Sequence, residues 1–201
     1  MTMKKYTFLS LFLLISTAVF AQSGFEVKGY FGVSGALANR KVDLEGASSV
    51  EIQNFKEVGI LLSRNLGEKF SLTGGLNYSF ASVKFRIPQC PNCYPEQTLY
   101  AHNPDFQMLS IPIYAEYALG KYFYAAAGPL VDFQLSEGNN FSDQSGFGYL
   151  VGLGAKLNTD KLSFSVFPNY KRHSAIPFDN SPKYKHVLQE MGIQLGVGYS
   201  F

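Results

Sequence analysis

From Phe25 onward the chain is a succession of segments in which apolar and polar residues alternate one for one, and the connections between those segments alternate between short and long. Successive side chains of a strand point to opposite faces, so a period of two predicts strands with one greasy and one polar side. Eight such segments are predicted. The first, Phe25 to Ala38, sets Phe25, Val27, Gly29, Phe31, Val33 and Leu37 against Glu26, Lys28, Tyr30, Gly32 and Ser34. The second ends at Asn65 and is less regular, with Val58, Ile60 and Leu62 opposed to Glu57, Gly59 and Ser63. The third, Phe70 to about Phe85, opposes Phe70, Leu72, Leu76, Tyr78 and Phe80 to Ser71, Thr73, Gly75, Asn77 and Ser79.

The same alternation recurs around Leu109 to Tyr117, where Pro112 lacks the N–H that a ladder needs and predicts a local break. It continues through Phe123 to Leu135, Phe147 to Leu157, a short seventh segment beginning at Leu162, and an eighth that runs from Glu190 to the last residue. After the second, fourth and sixth segments the chain turns within Asn65 to Lys69, Gly120-Lys121 and Asn158 to Lys161. After the first, third, fifth and seventh come stretches around Asn39 to Ser49, Arg86 to Asp105, Ser136 to Ser145 and Arg172 to Lys185, each several-fold longer. An up-and-down barrel in an outer membrane has short periplasmic turns and long external loops, whereas a soluble sandwich has no reason to sort its connections this way.

The two faces decide between water and lipid. Mid-strand, the apolar face carries essentially no charge, while Lys28, Glu57, Glu116, Asp132, Lys156 and Glu190 share the opposite face with Gly and Ser. A soluble barrel keeps its apolar residues inside. Here lipid is predicted outside and charge inside, as a polar plug in which Lys28 and Lys156 pair with Glu57, Glu116, Asp132 or Glu190, because eight strands leave room only for their own side chains. Aromatic residues complete the pattern, with Phe70, Phe123, Phe164, Tyr199 and Phe201 toward the short turns and Tyr78, Phe80 and Phe133 toward the loops, where two interfacial girdles belong.

The N-terminus agrees with export. Met-Thr-Met-Lys-Lys precedes an apolar run from Tyr6 to Phe20 and a small residue, Ala21, which is the order of a secretory signal; residues 1–21 are expected to be removed, leaving a barrel domain over 22–201. The run is shorter than the ~20 residues of a spanning helix. Cleavage would remove Lys4 and Lys5 and no acid, so the mature charge is near zero and nothing favours a nucleic-acid partner.

Two stretches carry a resemblance. Leu109-Ser-Ile-Pro-Ile-Tyr-Ala-Glu-Tyr-Ala-Leu-Gly-Lys-Tyr-Phe-Tyr-Ala-Ala-Ala-Gly-Pro129 resembles the central hairpin of the PorT-like outer-membrane β-barrel domain family of Bacteroidetes. The ending Gly196-Val-Gly-Tyr-Ser-Phe201 resembles the terminal strand signal of bacterial outer-membrane proteins, which implies that Tyr199 and Phe201 are read by the barrel insertion machinery. The resemblance implies an eight-stranded antiparallel transmembrane barrel of the bacterial outer membrane and specifies no activity.

Candidate chemistry is sparse. Cys90-Pro-Asn-Cys93 lies in the longest predicted external loop, where an oxidising compartment favours a local disulfide. A redox pair would want a helix start, which Pro91, Pro95 and Pro104 oppose, and a zinc site would need two further ligands when His102 is the only imidazole nearby. His173-Ser174 could be read as the base and nucleophile of a lipid A deacylase, but neighbours on an extended strand point to opposite faces. No catalytic, cofactor or metal residue is therefore assigned. The expectation is a non-enzymatic barrel in outer-membrane lipid whose loops, bearing Tyr94, Tyr100, His102, Phe141, Phe178 and Tyr184, bind an extracellular ligand or envelope protein, adhere, or brace the envelope. The alternatives are a lipid A-modifying enzyme and a narrow small-solute channel.

Overall fold

The structure, a computed structural model, describes residues 24–40, 49–86, 105–136, 142–178 and 186–201. The expected signal segment, residues 1–21, and both Cys90 and Cys93 lie outside these residues. Eight strands follow one another: β1 (Phe25–Arg40), β2 (Ser49–Asn65), β3 (Phe70–Arg86), β4 (Asp105–Ala118), β5 (Phe123–Gln134), β6 (Gly146–Thr159), β7 (Leu162–Pro177) and β8 (His186–Ser200). Each pairs antiparallel with its sequence neighbour, and β1 pairs with β8 from Glu26↔Ser200 to Arg40↔His186, so the sheet closes on itself. Closure removes the edges that an open sheet would leave unpaired in hydrocarbon.

The predicted faces hold strand by strand. Phe31, Ile60, Leu72, Leu76, Ile113, Phe147, Leu153, Leu195 and Val197 all point outward and are exposed, whereas Lys28, Glu57, Thr73, Asn77, Ser110, Glu116, Asp132 and Glu190 are buried. An outer wall with Ile60 at 65% and Met191 at 71% exposure would forfeit ~1.5–3 kcal/mol per large apolar side chain in water. Such a wall is stable only where hydrocarbon covers it.

Turn chemistry places the start of β1, the last residue and all three tight turns at one rim. Leu66 donates to the Phe70 carbonyl and Leu119 to that of Phe123, each at 2.8 Å, while Gly120 takes a φ of 126° that a side chain would resist. Phe201 N donates to the Phe25 carbonyl at 2.9 Å, which ties the last residue to the first strand. At Pro112 the β3–β4 ladder skips from Gly74↔Ile113 to Asn77↔Ser110 without changing register, the break expected of a residue with no N–H.

Two departures from the sequence pattern matter. In β2, Asn54 adopts a φ of 55° and the β2–β3 register shifts between Gln53 and Lys56, so this bulge changes the phase of the strand and puts Ile52, three residues from the inward Phe55, inside as well, which accounts for the irregular alternation. The seventh strand is not short: it continues to Pro177 through Lys171-Arg172-His173, a basic run that reads as loop until its partners on β6 and β8 are known. The same strand carries a second bulge at Ser174, where φ is 46° and β6–β7 pairing shifts between Phe147 and Tyr149.

Candidate functional site

The lumen is filled in layers, each built from the inward residues of several strands. Nearest the turns, Lys28 Nζ lies 3.8 Å from Glu116 Oε1, Lys156 pairs with Glu26, and Ser163 donates to the other Glu26 oxygen at 2.5 Å. Thr73 donates to Glu116 at 2.8 Å and lies within 2.8 Å of Ser63, so Glu26 has two donors and Glu116 has one beside its ion pair. Above them sits an apolar and aromatic layer of Tyr30, Leu61, Tyr114, Tyr124, Ala126, Leu130, Leu150 and Phe167, with Phe167 stacked between Tyr114 and Tyr124 at centroid distances of 6.2 and 5.5 Å.

The next layer is ionic and enclosed. Lys171 Nζ is 2.5 Å from Glu57 Oε2 and 2.7 Å from Glu190 Oε1. His173 places Nδ1 2.9 Å from Asp132 Oδ2 and Nε2 3.4 Å from Glu190 Oε1. Asn77 and Gln194 donate to the two Glu57 oxygens at 2.9 and 3.0 Å. Ion pairs so deep persist only when each charge is paired and hydrogen-bonded, because the desolvation cost is several kcal/mol per ion. Beyond them, toward the loops, Ala36, Ile52, Phe55, Ala81, Val83, Phe106, Met108 and Leu188 form a second apolar cluster.

Of the six residues expected to carry lumen charge, Lys28, Glu57, Glu116, Asp132 and Glu190 are buried and Lys156 is half-buried; Lys28 lies against Glu116, within the expected set, and the others meet partners outside it. Lys156 meets Glu26, which the pattern placed inward without assigning it a role. Glu57 and Glu190 converge on Lys171, and Asp132 on His173, two groups missed because the seventh strand was cut short. The reach of that strand could have been judged from the length of the eighth, since neighbours in a barrel wall must match. His173 and Ser174 also do not face opposite ways: the positive φ of Ser174 turns both into the barrel, where each is buried. No nucleophile and base meet on the lipid face there.

Between the aromatic and ionic layers lies a cavity of about 10 Å³ bounded by Tyr30, Asn77, Ser110, Tyr114, Lys171 and Gln194. Asn77 Oδ1 and Ser110 Oγ lack protein partners there, and the space suits about one water. A wider vestibule of about 390 Å³ opens at the turn rim between Glu26, Glu116, Lys156, Lys69 and Tyr124. At the opposite rim Phe178 packs against Phe133 and Phe147 at 5.8 and 5.3 Å, so this loop aromatic belongs to the wall's upper girdle. Tyr94, Tyr100, His102, Phe141 and Tyr184 lie outside the described residues. Tyr199 and Phe201 pack edge to face at 5.1 Å on the turn rim.

A closed antiparallel wall of eight strands, greasy outside and charged within, defines a small transmembrane barrel of the bacterial outer membrane. The chain belongs to the family described as outer membrane protein beta-barrel domain, whose model matches residues 20–201. No curated protein matches it. Among solved structures it is similar to the outer membrane protein OprG from Pseudomonas aeruginosa, at 12% identity over 89% of this chain and 96% of that one, with a TM-score of 0.52. It is also similar to outer membrane protein AlkL in DMPC lipid bilayers, at 11% identity over 90% of this chain and 92% of the other, with a TM-score of 0.58. At such identities the likeness concerns the fold.

Proposed function

We propose that this chain is a non-enzymatic outer-membrane barrel, of the PorT-like kind that its central hairpin resembles, which acts through its external loops in binding, adhesion or bracing of the envelope. The observation that carries this reading is the filled lumen. Two apolar clusters bracket a layer of paired charges, and the cavity between them has a volume of only about 10 Å³. A solute path would need a continuous polar passage. A lipid-modifying reaction would need its groups on the outer wall, yet His173 and Ser174 are buried inside. What remains is the rim opposite the turns, where the wall of strands leads into the four long connections. In the same reading residues 1–21 are cleaved on export, Cys90 and Cys93 staple the longest loop, and Tyr199 and Phe201 are recognised during insertion.

The test compares the whole chain with a barrel in which residues 87–104 are replaced by a short Gly-Ser linker. Both should insert and migrate as heat-modifiable barrels, and only the trimmed form should lose surface adherence of the cells that express it. Equal adherence, or steady ion conductance of the whole chain in planar bilayers, would overturn the reading.

A further inference from the structure

Near the loop rim the wall between β7 and β8 runs out of ladder before either strand ends. Among the described residues the last rung is Arg172↔Gln189, yet β7 continues to Pro177 and β8 has already begun at His186. The bulge at Ser174 carries the end of β7 toward β6, where Phe147 pairs with Ile176 and Gly146 with Pro177. A Cβ on Gly146 would stand 2.5 Å from the Ile176 carbonyl oxygen, so those two backbones lie close together. From His186 to Leu188, β8 therefore keeps β1 on one flank and has lost β7 from the other.

A side chain takes the place of the missing strand. Gln144 Nε2 donates to the His186 carbonyl at 2.9 Å and Gln144 Oε1 accepts from Leu188 N at 2.9 Å, the two bonds that a neighbouring strand would make on either side of Val187. Ser142 Oγ accepts from His186 N at 3.1 Å. Residues 142–145 form one tight turn, because Asp143 Oδ1 accepts from Ser145 N at 2.9 Å and Gln144 Nε2 also reaches the Ser142 carbonyl at 2.7 Å. Ser145 anchors the turn to its own side of the barrel: its Oγ accepts from Gln134 N at 3.0 Å and its carbonyl from Phe178 N at 3.3 Å. Gln144 is fully buried, and Leu188 beneath it belongs to the loop-side apolar cluster, so the turn roofs that cluster.

We propose that residues 142–145 are a latch on the external mouth, in which Gln144 holds the upper β7–β8 seam shut and lets go of β8 together with Ser142 as one unit. Release breaks bonds between side chains and backbone and no rung of the wall, so the ladder from Arg172↔Gln189 downward stays closed. The open state bares the β8 edge from His186 to Leu188 and the apolar cluster under it. The aromatic layer around Phe167 lies farther down and keeps the lumen sealed. The latch operates whatever the external loops bind.

The experiment is amide hydrogen exchange of the full chain in nanodiscs, read residue by residue. In the parent, the His186 and Leu188 amides should open together and exchange faster than the β8 amides from Met191 to Val197. Gln144→Met keeps the length of the side chain and removes its hydrogen bonds; it should speed exchange at His186 about twentyfold, the worth of two net hydrogen bonds, although the Ser142 acceptor of that amide is untouched. Ser142→Ala, the milder change, should speed Leu188 about fivefold with Gln144 still in place. Both variants should keep the heat-modifiable migration of a closed barrel. Acceleration confined to the amide whose own acceptor was removed, acceleration shared by all of β8, or unchanged exchange in both variants would each overturn the proposal.

Discussion

Lys171 on β7 reaches across the lumen to within 2.5 Å of Glu57 on β2, joining two strands that share no ladder. The backbone ladder runs around the circumference of a barrel, whereas this contact spans its interior. Glu190, 2.7 Å from the same ammonium, makes Lys171 the hub of the ionic layer.

Replacing Lys171 with Met should therefore cost about 3–5 kcal/mol, since it leaves Glu57 and Glu190 buried without their cation. Denaturant unfolding in detergent micelles would measure it. Adding Glu57→Gln and Glu190→Gln to the same chain should recover most of the loss, because no uncompensated charge then remains at the hub.

Gly75 and Gly29 should respond oppositely to the same added methyl. A Cβ on Gly75 would stand 2.1 Å from the Ile60 carbonyl oxygen, a backbone atom that cannot swing aside, whereas one on Gly29 meets open space. Gly75→Ala is expected to destabilise by about 1–3 kcal/mol and Gly29→Ala to be near neutral. The temperature at which each variant stops migrating as a folded barrel distinguishes them.

His173→Ala should leave the lipid A mass spectrum of the host unchanged and yet weaken the barrel by about 1–3 kcal/mol, because Asp132 loses its imidazole donor. A shift in lipid mass would instead restore an enzymatic role to this pair.

Purified whole chain should give no steady current steps in a planar bilayer. Phe55 and Phe106, 6.2 Å apart, lie on the loop side of the ionic layer, and Tyr30 with Phe167 on the turn side. Stepwise ion conductance would show that these clusters part.

The wall was legible because each outward residue answers to one requirement, contact with lipid, which leaves a period of two that needs no knowledge of partners. Loop sorting then supplied the orientation of the strands. The lumen was less legible, because inward residues answer to one another. Tyr30, Tyr114 and Tyr124 could be placed on the inner face by alternation, but only the closed wall shows them gathering around Phe167 into an apolar layer. Lys171 and His173 were hidden by local composition: the basic run after Pro168 looks like a loop, and only the pairing of Lys171 with Glu190 and of Arg172 with Gln189 on β8 shows that the strand continues. The bulge at Asn54 had a weaker trace, an irregular alternation in β2, which marks a place but not a geometry.

The seam between β1 and β8 also sets an order of events. A ribosome releases Ser200 long after Glu26, yet these two are ladder neighbours. Until the final segment arrives, the opening strand has one flank bare, and no partial product can satisfy it in a solvent that offers no hydrogen bonds. A chain cut short before its last strand therefore cannot make a smaller version of the same object, because its first strand would stand unpaired in hydrocarbon.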